Sequence, residues 1–354
     1  MTGRGRGTYG HRMTRAVVIG ATGQIGRAAV DALARDGWEV TAVSRSGDRD
    51  RRWSGDVRAV VADRDDDAAL AAAVGGDCDV LVDVVAYGER HARQLVSLAG
   101  RVGSAVVISS VSVYEDDRGR GFDTQGEPGG FPEYPVPLTE AQRTVRPGNG
   151  SYSARKAALE RELLAAGDRL PVTLLRAGAV HGPYCRTPRE LYFVKRNLDG
   201  RRQRVLAYGG TSRFHPAGVD NIAELIGLAA ARPGTRVLNA VDPDAPTVAE
   251  IGAAIDAVMG VEAEYLLVDG PPPADGVGDT PWTVPAPVVC DMGAAREELG
   301  YRPVARYADA LPRTVAFIEE RLAGRDWREA YPEMYTAYGD LFDYAAEDAW
   351  AGRR

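Results

Sequence analysis

The stretch Arg15-Ala-Val-Val-Ile-Gly20-Ala-Thr22-Gly23-Gln24-Ile25-Gly26 decides the fold. Its first half is a short apolar run that stops at a glycine, as a strand buried in a parallel sheet does. Its second half spaces three glycines as GxxGxxG. It leads into an amphipathic stretch, 24–36, with Ile25, Ala29 and Leu33 on one helical face and Gly37 at its end. Glycines between a strand and a helix let the backbone approach a pyrophosphate, and the helix amino end adds free N–H groups and a positive dipole. An ordinary strand–helix turn is the bland alternative. The place after a strand and before a helix favours the binding reading.

Working outward, the sequence predicts further strands at 39–43, 57–61, 79–85 and 104–108, with helices at 66–74 and 89–100. Such alternation implies βαβ units: an α/β fold with a doubly wound parallel sheet covered by helices on both faces. Residues 115–150 are rich in glycine, proline and charge, and read as an insertion or lid loop. A helix at 152–166 and a strand at 172–176 restore the pattern. Beyond Gly182, a strand at 237–241 and a helix at 248–259 suggest a smaller α+β region interleaved with the end of the sheet. The expected organisation is a basic disordered tail (1–13), a dinucleotide-binding domain (14–182), a substrate region (183–325) and an aromatic, acidic helical extension (326–354).

The chain has 354 residues, 45% of them apolar and 26% charged, as in soluble globular proteins. It lacks an apolar run of the roughly 18 residues that a membrane span needs. A net charge of -7 argues against a general nucleic-acid binder. Cys78, Cys185 and Cys290 form no CxxC, and His11, His91, His181 and His215 are scattered, so neither a disulfide framework nor a metal site is expected. GxSxG and P-loop motifs are absent. The arginine-rich start lacks the apolar core of a secretory signal, so a cytoplasmic location is the default expectation.

Positive charge is almost all arginine; lysine occurs only at Lys156 and Lys195. Lys156 completes Tyr152-Ser-Ala-Arg-Lys156. Residues i and i+4 share a helix face, so the ammonium can sit beside the phenol and lower its pKa toward working pH. That makes Tyr152 a candidate general acid/base. Composition alone gives roughly 0.08 such YxxxK matches; a surface pair on an amphipathic helix is the alternative. Among Ser109, Ser110 and Ser112, at the carboxyl end of the fifth strand, Ser110 is the preferred donor to a substrate carbonyl. At the end of the second strand, Ser44-Arg45-Ser46 holds no acid, and Arg45 suits the 2′-phosphate of NADP(H) better than the ribose 2′-hydroxyl of NAD(H). A solvated loop arginine is the other reading. Asp63 could accept from an adenine amino group or merely cap the next helix.

These motifs, in this order, resemble the extended short-chain dehydrogenase/reductase superfamily, in its NAD(P)-dependent epimerase/dehydratase-like branch. The match adds Asp79-Val-Leu-Val, Val113-Tyr114, Leu175-Arg176 through His181-Gly182-Pro183, Val219-Asp220-Asn221 and Leu299-Gly300-Tyr-Arg-Pro303, and covers about residues 14–320. The resemblance implies a Rossmann sheet, with Tyr152 as acid/base, Lys156 on the nicotinamide ribose and Ser110, four residues before Tyr114, polarising the reacting oxygen. It implies a nicotinamide wall of Ala86, Tyr87, Ala179 and Val180. Substrate-facing candidates are Ser112, Tyr114 and Arg213, the last displaced by about one position from the arginine that relatives place on a substrate phosphate. Val111-Ser112 stands where dehydratases carry Asp-Glu, which disfavours dehydration.

Three functions compete on the sequence. The first is an NADP(H)-dependent oxidoreductase acting on a carbonyl or secondary alcohol of a small-molecule substrate. The second is a sugar-nucleotide epimerase with bound NAD. The third is a non-catalytic dinucleotide-binding regulator, which would not need Tyr152 and Lys156. Such relatives often pair as homodimers.

Overall fold

The computed structural model describes residues 14–273 and 276–353, so the expected basic tail lies outside the described residues. In chain order the elements are β1 (Arg15–Ile19), α1 (Gln24–Arg35), β2 (Glu39–Ser44), β3 (Arg58–Val61), α2 (Asp67–Val74), β4 (Cys78–Asp83), α3 (Glu89–Ser97) and β5 (Val102–Ser110). Then come α4 (Tyr152–Leu164), β6 (Val172–Ala177), β7 (Ala179–His181), α5 (Leu191–Leu198), β8 (Gln203–Leu206), β9 (Pro216–Gly218), α6 (Val219–Ala231), β10 (Arg236–Ala240) and α7 (Val248–Val258). The last are β11 (Glu264–Leu267), α8 (Gly293–Leu299), α9 (Tyr307–Leu322), α10 (Trp327–Ala330), α11 (Pro332–Tyr338) and α12 (Tyr344–Ala351).

A seven-stranded parallel sheet runs in the order β10-β6-β5-β4-β1-β2-β3. Its central strands are apolar throughout because helices cover both faces. Ala16 and Val18 pack with Ala29 and Leu33 of α1 and Leu225 of α6 on one side. Val17 and Ile19 pack with Leu70 of α2, Leu95 of α3 and Leu159 of α4 on the other. One-residue alternation along β1 thus feeds two cores. The strand order reverses between β1 and β4, and a crevice opens at their carboxyl ends, where doubly wound sheets bind ligands.

The second half interleaves with the first. β10 returns to the edge of the main sheet, while β7 pairs with β9 and β8 with β11 in two small parallel sheets. A third core gathers Phe193 of α5, Ile251 of α7, Trp282, Leu311 of α9, Trp327 and Tyr331. The carboxyl-terminal helices seal against it, with Arg196 paired to Glu347 in a buried contact.

Residues 115–150 have little regular structure beyond a single turn at Phe122–Thr124, yet they are tied down. Asp116 accepts from the backbone of Arg118, Arg120 and Glu133. Tyr134 donates to the Tyr114 carbonyl at 2.8 Å. Leu138 exchanges backbone hydrogen bonds with Val289 and Asp291. The segment is a packed strap, because nearly every polar group at its base has a protein partner.

Candidate active site

The glycine turn comes first. Gly20 has φ +83°, and a β-carbon there would also lie 2.6 Å from Val85. A β-carbon on Gly26 would collide with the Gly20 carbonyl, so α1 can lie flush on the turn only with glycine at that position. Gly23 is exposed and caps α1 with no side-chain bond. The first N–H groups of α1 are therefore left for an anion, and the cradle fits a dinucleotide pyrophosphate. Thr22 and Ile25 flank it half-buried, and Gln24 donates to the Gly182 carbonyl at 3.1 Å, tying the turn to the far wall.

The crevice floor is built where β5 meets α4. Alternation along β5 turns Ser109 inward, where its hydroxyl donates to Glu160 at 2.5 Å beside the buried Arg176. Ser110 faces the crevice. Ser151 caps α4 by accepting from the Ala154 N–H, which holds Tyr152 at the first helical position on the crevice edge. Tyr152 and Ser110 line the crevice together; Tyr152 is 44% exposed, and the Tyr87 ring lies 5.6 Å from its own.

Lys156, one turn along, is buried. Its Nζ donates to the carbonyls of Ala86 (2.7 Å) and Ile108 (2.9 Å), and stands 5.9 Å from the Tyr152 ring centroid. This corrects the expectation of a phenol pulled down by its lysine. Lost water pushes the Tyr152 pKa above its ordinary value, and the nearby Ser110 hydroxyl draws it only part of the way back. Lost water also lowers Lys156 to about 8, against the opposing pull of Asp83 and Glu160.

Beneath the lysine lies a network that sequence reasoning missed. Buried Arg64 donates to Asp83 at 2.7 Å, and Gln94 donates back to the Arg64 carbonyl at 3.0 Å. The available signal was Asp83 itself, a carboxylate at the end of the apolar run Val80-Leu-Val82.

Other predicted residues sort clearly. Ala86 is buried and gives its carbonyl to Lys156. Val180 faces the crevice, whereas Ala179 points into the third core, a correction that follows from strand alternation. Arg45 is exposed beyond β2 and pairs with no carboxylate among the described residues. Asp63 accepts from the Asp65 N–H at 2.9 Å in a polar turn before α2. Ser112 lines the crevice, and its N–H donates to Ser110 at 3.1 Å. Tyr114 is a correction: it is fully buried, donates to Asn239 at 2.6 Å and lies under Arg176, so it cannot face a substrate. Arg213 is another: its guanidinium donates to the Ala245 carbonyl on the far side of the crevice wall, in a separate cavity.

The crevice encloses about 510 Å³. Its roof comes from distant segments: Phe122 of the strap, Arg189, Phe214, Asp279 and Tyr338. None of Phe122, Arg189, Phe214, Asp279 and Tyr338 carries a motif. Only the tertiary fold brings them over Tyr152.

A model of the NAD dependent epimerase/dehydratase family matches residues 16–240. No curated protein matches the sequence. Among solved structures, MoeE5 in complex with UDP-glucose and NAD is 22% identical with a TM-score of 0.64, over 87% of this chain and 99% of that one. The UDP-glucose 4-epimerase of Thermotoga maritima, with UDP-glucose, is 19% identical with a TM-score of 0.66, over 87% and 100%. The UDP-N-acetylglucosamine 4-epimerase of Methanobrevibacter ruminantium M1, in complex with UDP-N-acetylmuramic acid, is 18% identical with a TM-score of 0.66, over 88% and 100%. At such identities the likeness is one of fold. Among the described residues, no helix is long and apolar enough to cross a membrane.

Proposed function

Because this chain belongs to the NAD-dependent epimerase/dehydratase family, we propose that it is an NADP(H)-dependent oxidoreductase that reduces a carbonyl carbon, with Tyr152 as the proton donor. The observation that carries this reading is the placing of Tyr152 and Ser110 together on the crevice floor, with a buried lysine one helical turn from the tyrosine. When bound, the nicotinamide supplies the hydride. Ser110 and Tyr152 line the same crevice, where their hydroxyls would bind a substrate oxygen and polarise its carbonyl. The raised phenol pKa keeps the Tyr152 proton in place at neutral pH, ready to pass to the alkoxide oxygen that forms. Lys156 fixes the carbonyls of Ala86 and Ile108, and with them the two strand ends that frame the site. Tyr87, against Tyr152, closes the floor from the side of β4.

Arg45, free of carboxylates among the described residues and flanked by Ser44 and Ser46, supports NADP(H) over NAD(H). Melting of the protein with each dinucleotide tests this. NADPH raises Tm more than NADH at equal concentration, and Arg45→Ala abolishes the difference. Equal shifts in the native protein contradict the preference.

A second reading, epimerisation by transient oxidation and re-reduction, draws support from the structural neighbours that are UDP-sugar 4-epimerases. The two readings separate at 340 nm: net reduction consumes NADPH and the absorbance falls, whereas epimerisation leaves it unchanged.

A further inference from the structure

Resting on the carbonyl-reduction reading, we infer that the substrate is a neutral, flat, ring-bearing carbonyl compound rather than a nucleotide diphosphate sugar. The segment entering β9 alternates. Arg213 and His215 face a separate cavity of about 810 Å³, and Phe214 faces the crevice above Tyr152. The position nearest the reacting floor on that wall is therefore a phenyl ring, with its neighbouring cation turned away. Phe214 is one of a group. Its centroid lies 5.5 Å from Phe122, at an interplanar angle of 32°, and Phe122 meets Phe131 edge-on at 5.9 Å. Val284 and Tyr338 extend the same wall, beside the amide of Gln125 and the hydroxyls of Thr187, Thr280 and Thr283, neutral groups that can hydrogen-bond ring substituents. A ring of this kind buries about 150–250 Å² against a flat partner, and its quadrupole favours stacked or edge-to-face contact.

The charges point the same way. Among the described residues that line the crevice, Arg189 is the one cationic side chain and Asp279 the one carboxylate. Arg189 is already engaged: its Nε donates to the Pro281 carbonyl at 3.1 Å, and its guanidinium carbon lies 5.1 Å from the Phe214 centroid and 5.5 Å from that of Trp282. Asp279 sits beside the Thr280–Thr283 turn, and burial pushes its carboxyl pKa up. A diphosphate placed here would lose water for one shared guanidinium and would face a carboxylate, and unpaired charge in such a setting is costly. A neutral ring leaves the Arg189–Pro281 hydrogen bond undisturbed.

Calorimetric titration of the full chain, saturated with NADP⁺, tests the inference with 2-acetylnaphthalene and UDP-glucose as probes. The ketone binds at least about tenfold more tightly than UDP-glucose, and Phe214→Ala weakens it by about tenfold, a loss of about 1.4 kcal/mol. Phe214→Arg combined with Asp279→Asn reverses the order of the two probes. UDP-glucose binding as tightly as the ketone to the native protein, or neither probe binding, overturns the inference. The parent reading fails separately: the ketone would then bind as expected while NADPH absorbance stayed constant in its presence.

Discussion

The floor and the roof of the crevice are built on opposite principles. The floor is backbone-anchored. Lys156 bonds two main-chain carbonyls, Ser110 ends a central strand and Tyr152 opens a capped helix. The roof is a meeting of side chains from the 115–150 strap, the β9 approach, the 279–284 turn and α11. A floor fixed by strand ends and a helix start holds one geometry and supplies the chemistry. A roof drawn from loops can change residue by residue without disturbing the sheet, and it selects what the chemistry acts upon.

The strongest way to break this contrast is Tyr152→Phe. Steady-state turnover falls by about 10²–10⁴-fold, as for loss of a general acid, while the dinucleotide-induced rise in Tm persists. Ser110→Ala comes next, with a loss of about 10²-fold. Ser110 beside the phenol lowers its pKa, so the alkaline limb of the pH–rate profile moves to higher pH in this variant. Lys156→Met leaves two buried carbonyls without their donor and lowers unfolding free energy by about 1–3 kcal/mol in denaturant titrations.

On the roof, Tyr338→Ala sharpens the comparison from the other side. KM rises by about tenfold with kcat nearly unchanged, because only binding shared by ground and transition states is lost. The smallest effect belongs to Asp116 in the strap. Burial pushes its carboxyl up, but hydrogen bonds from Glu133 and Arg120 win and hold it at about 2, below the ordinary 3.8. Its folded pKa is depressed, so its contribution is present above 3.8 and fades as pH falls toward 2. The gap in stability between the native protein and Asp116→Asn therefore narrows from pH 6 to pH 3 in denaturant titrations.

The contrast also explains what could be read in advance. Periodicity places the β1–α1 turn, the central strands and the Tyr152 helix because their signals are local: an apolar run, a glycine stop, a tyrosine and a lysine one helical turn apart. Ser110 is separable from Ser109 in the sequence only through its motif; in the structure Ser110 lines the crevice and Ser109 bonds Glu160. Tyr114, Ala179 and Arg213 go wrong together, for one reason. Each lies on the correct strand or turn but faces the other way, and a one-residue alternation flips a side chain between crevice and core. Arg64, Phe214, Asp279 and Tyr338 leave no local trace, since each acquires its place only by long-range packing. Composition reads 115–150 as an insertion or lid loop; the contacts by which Asp116, Tyr134 and Leu138 tie it down leave no trace in composition.

A crystal structure of the protein soaked with NADP⁺ tests the central claim most directly. The pyrophosphate is expected against Gly23 and the nicotinamide beside Tyr152, with its C4 facing the Ser110–Tyr152 hydroxyl pair. A dinucleotide bound elsewhere, or a nicotinamide turned away from those two hydroxyls, would contradict the account.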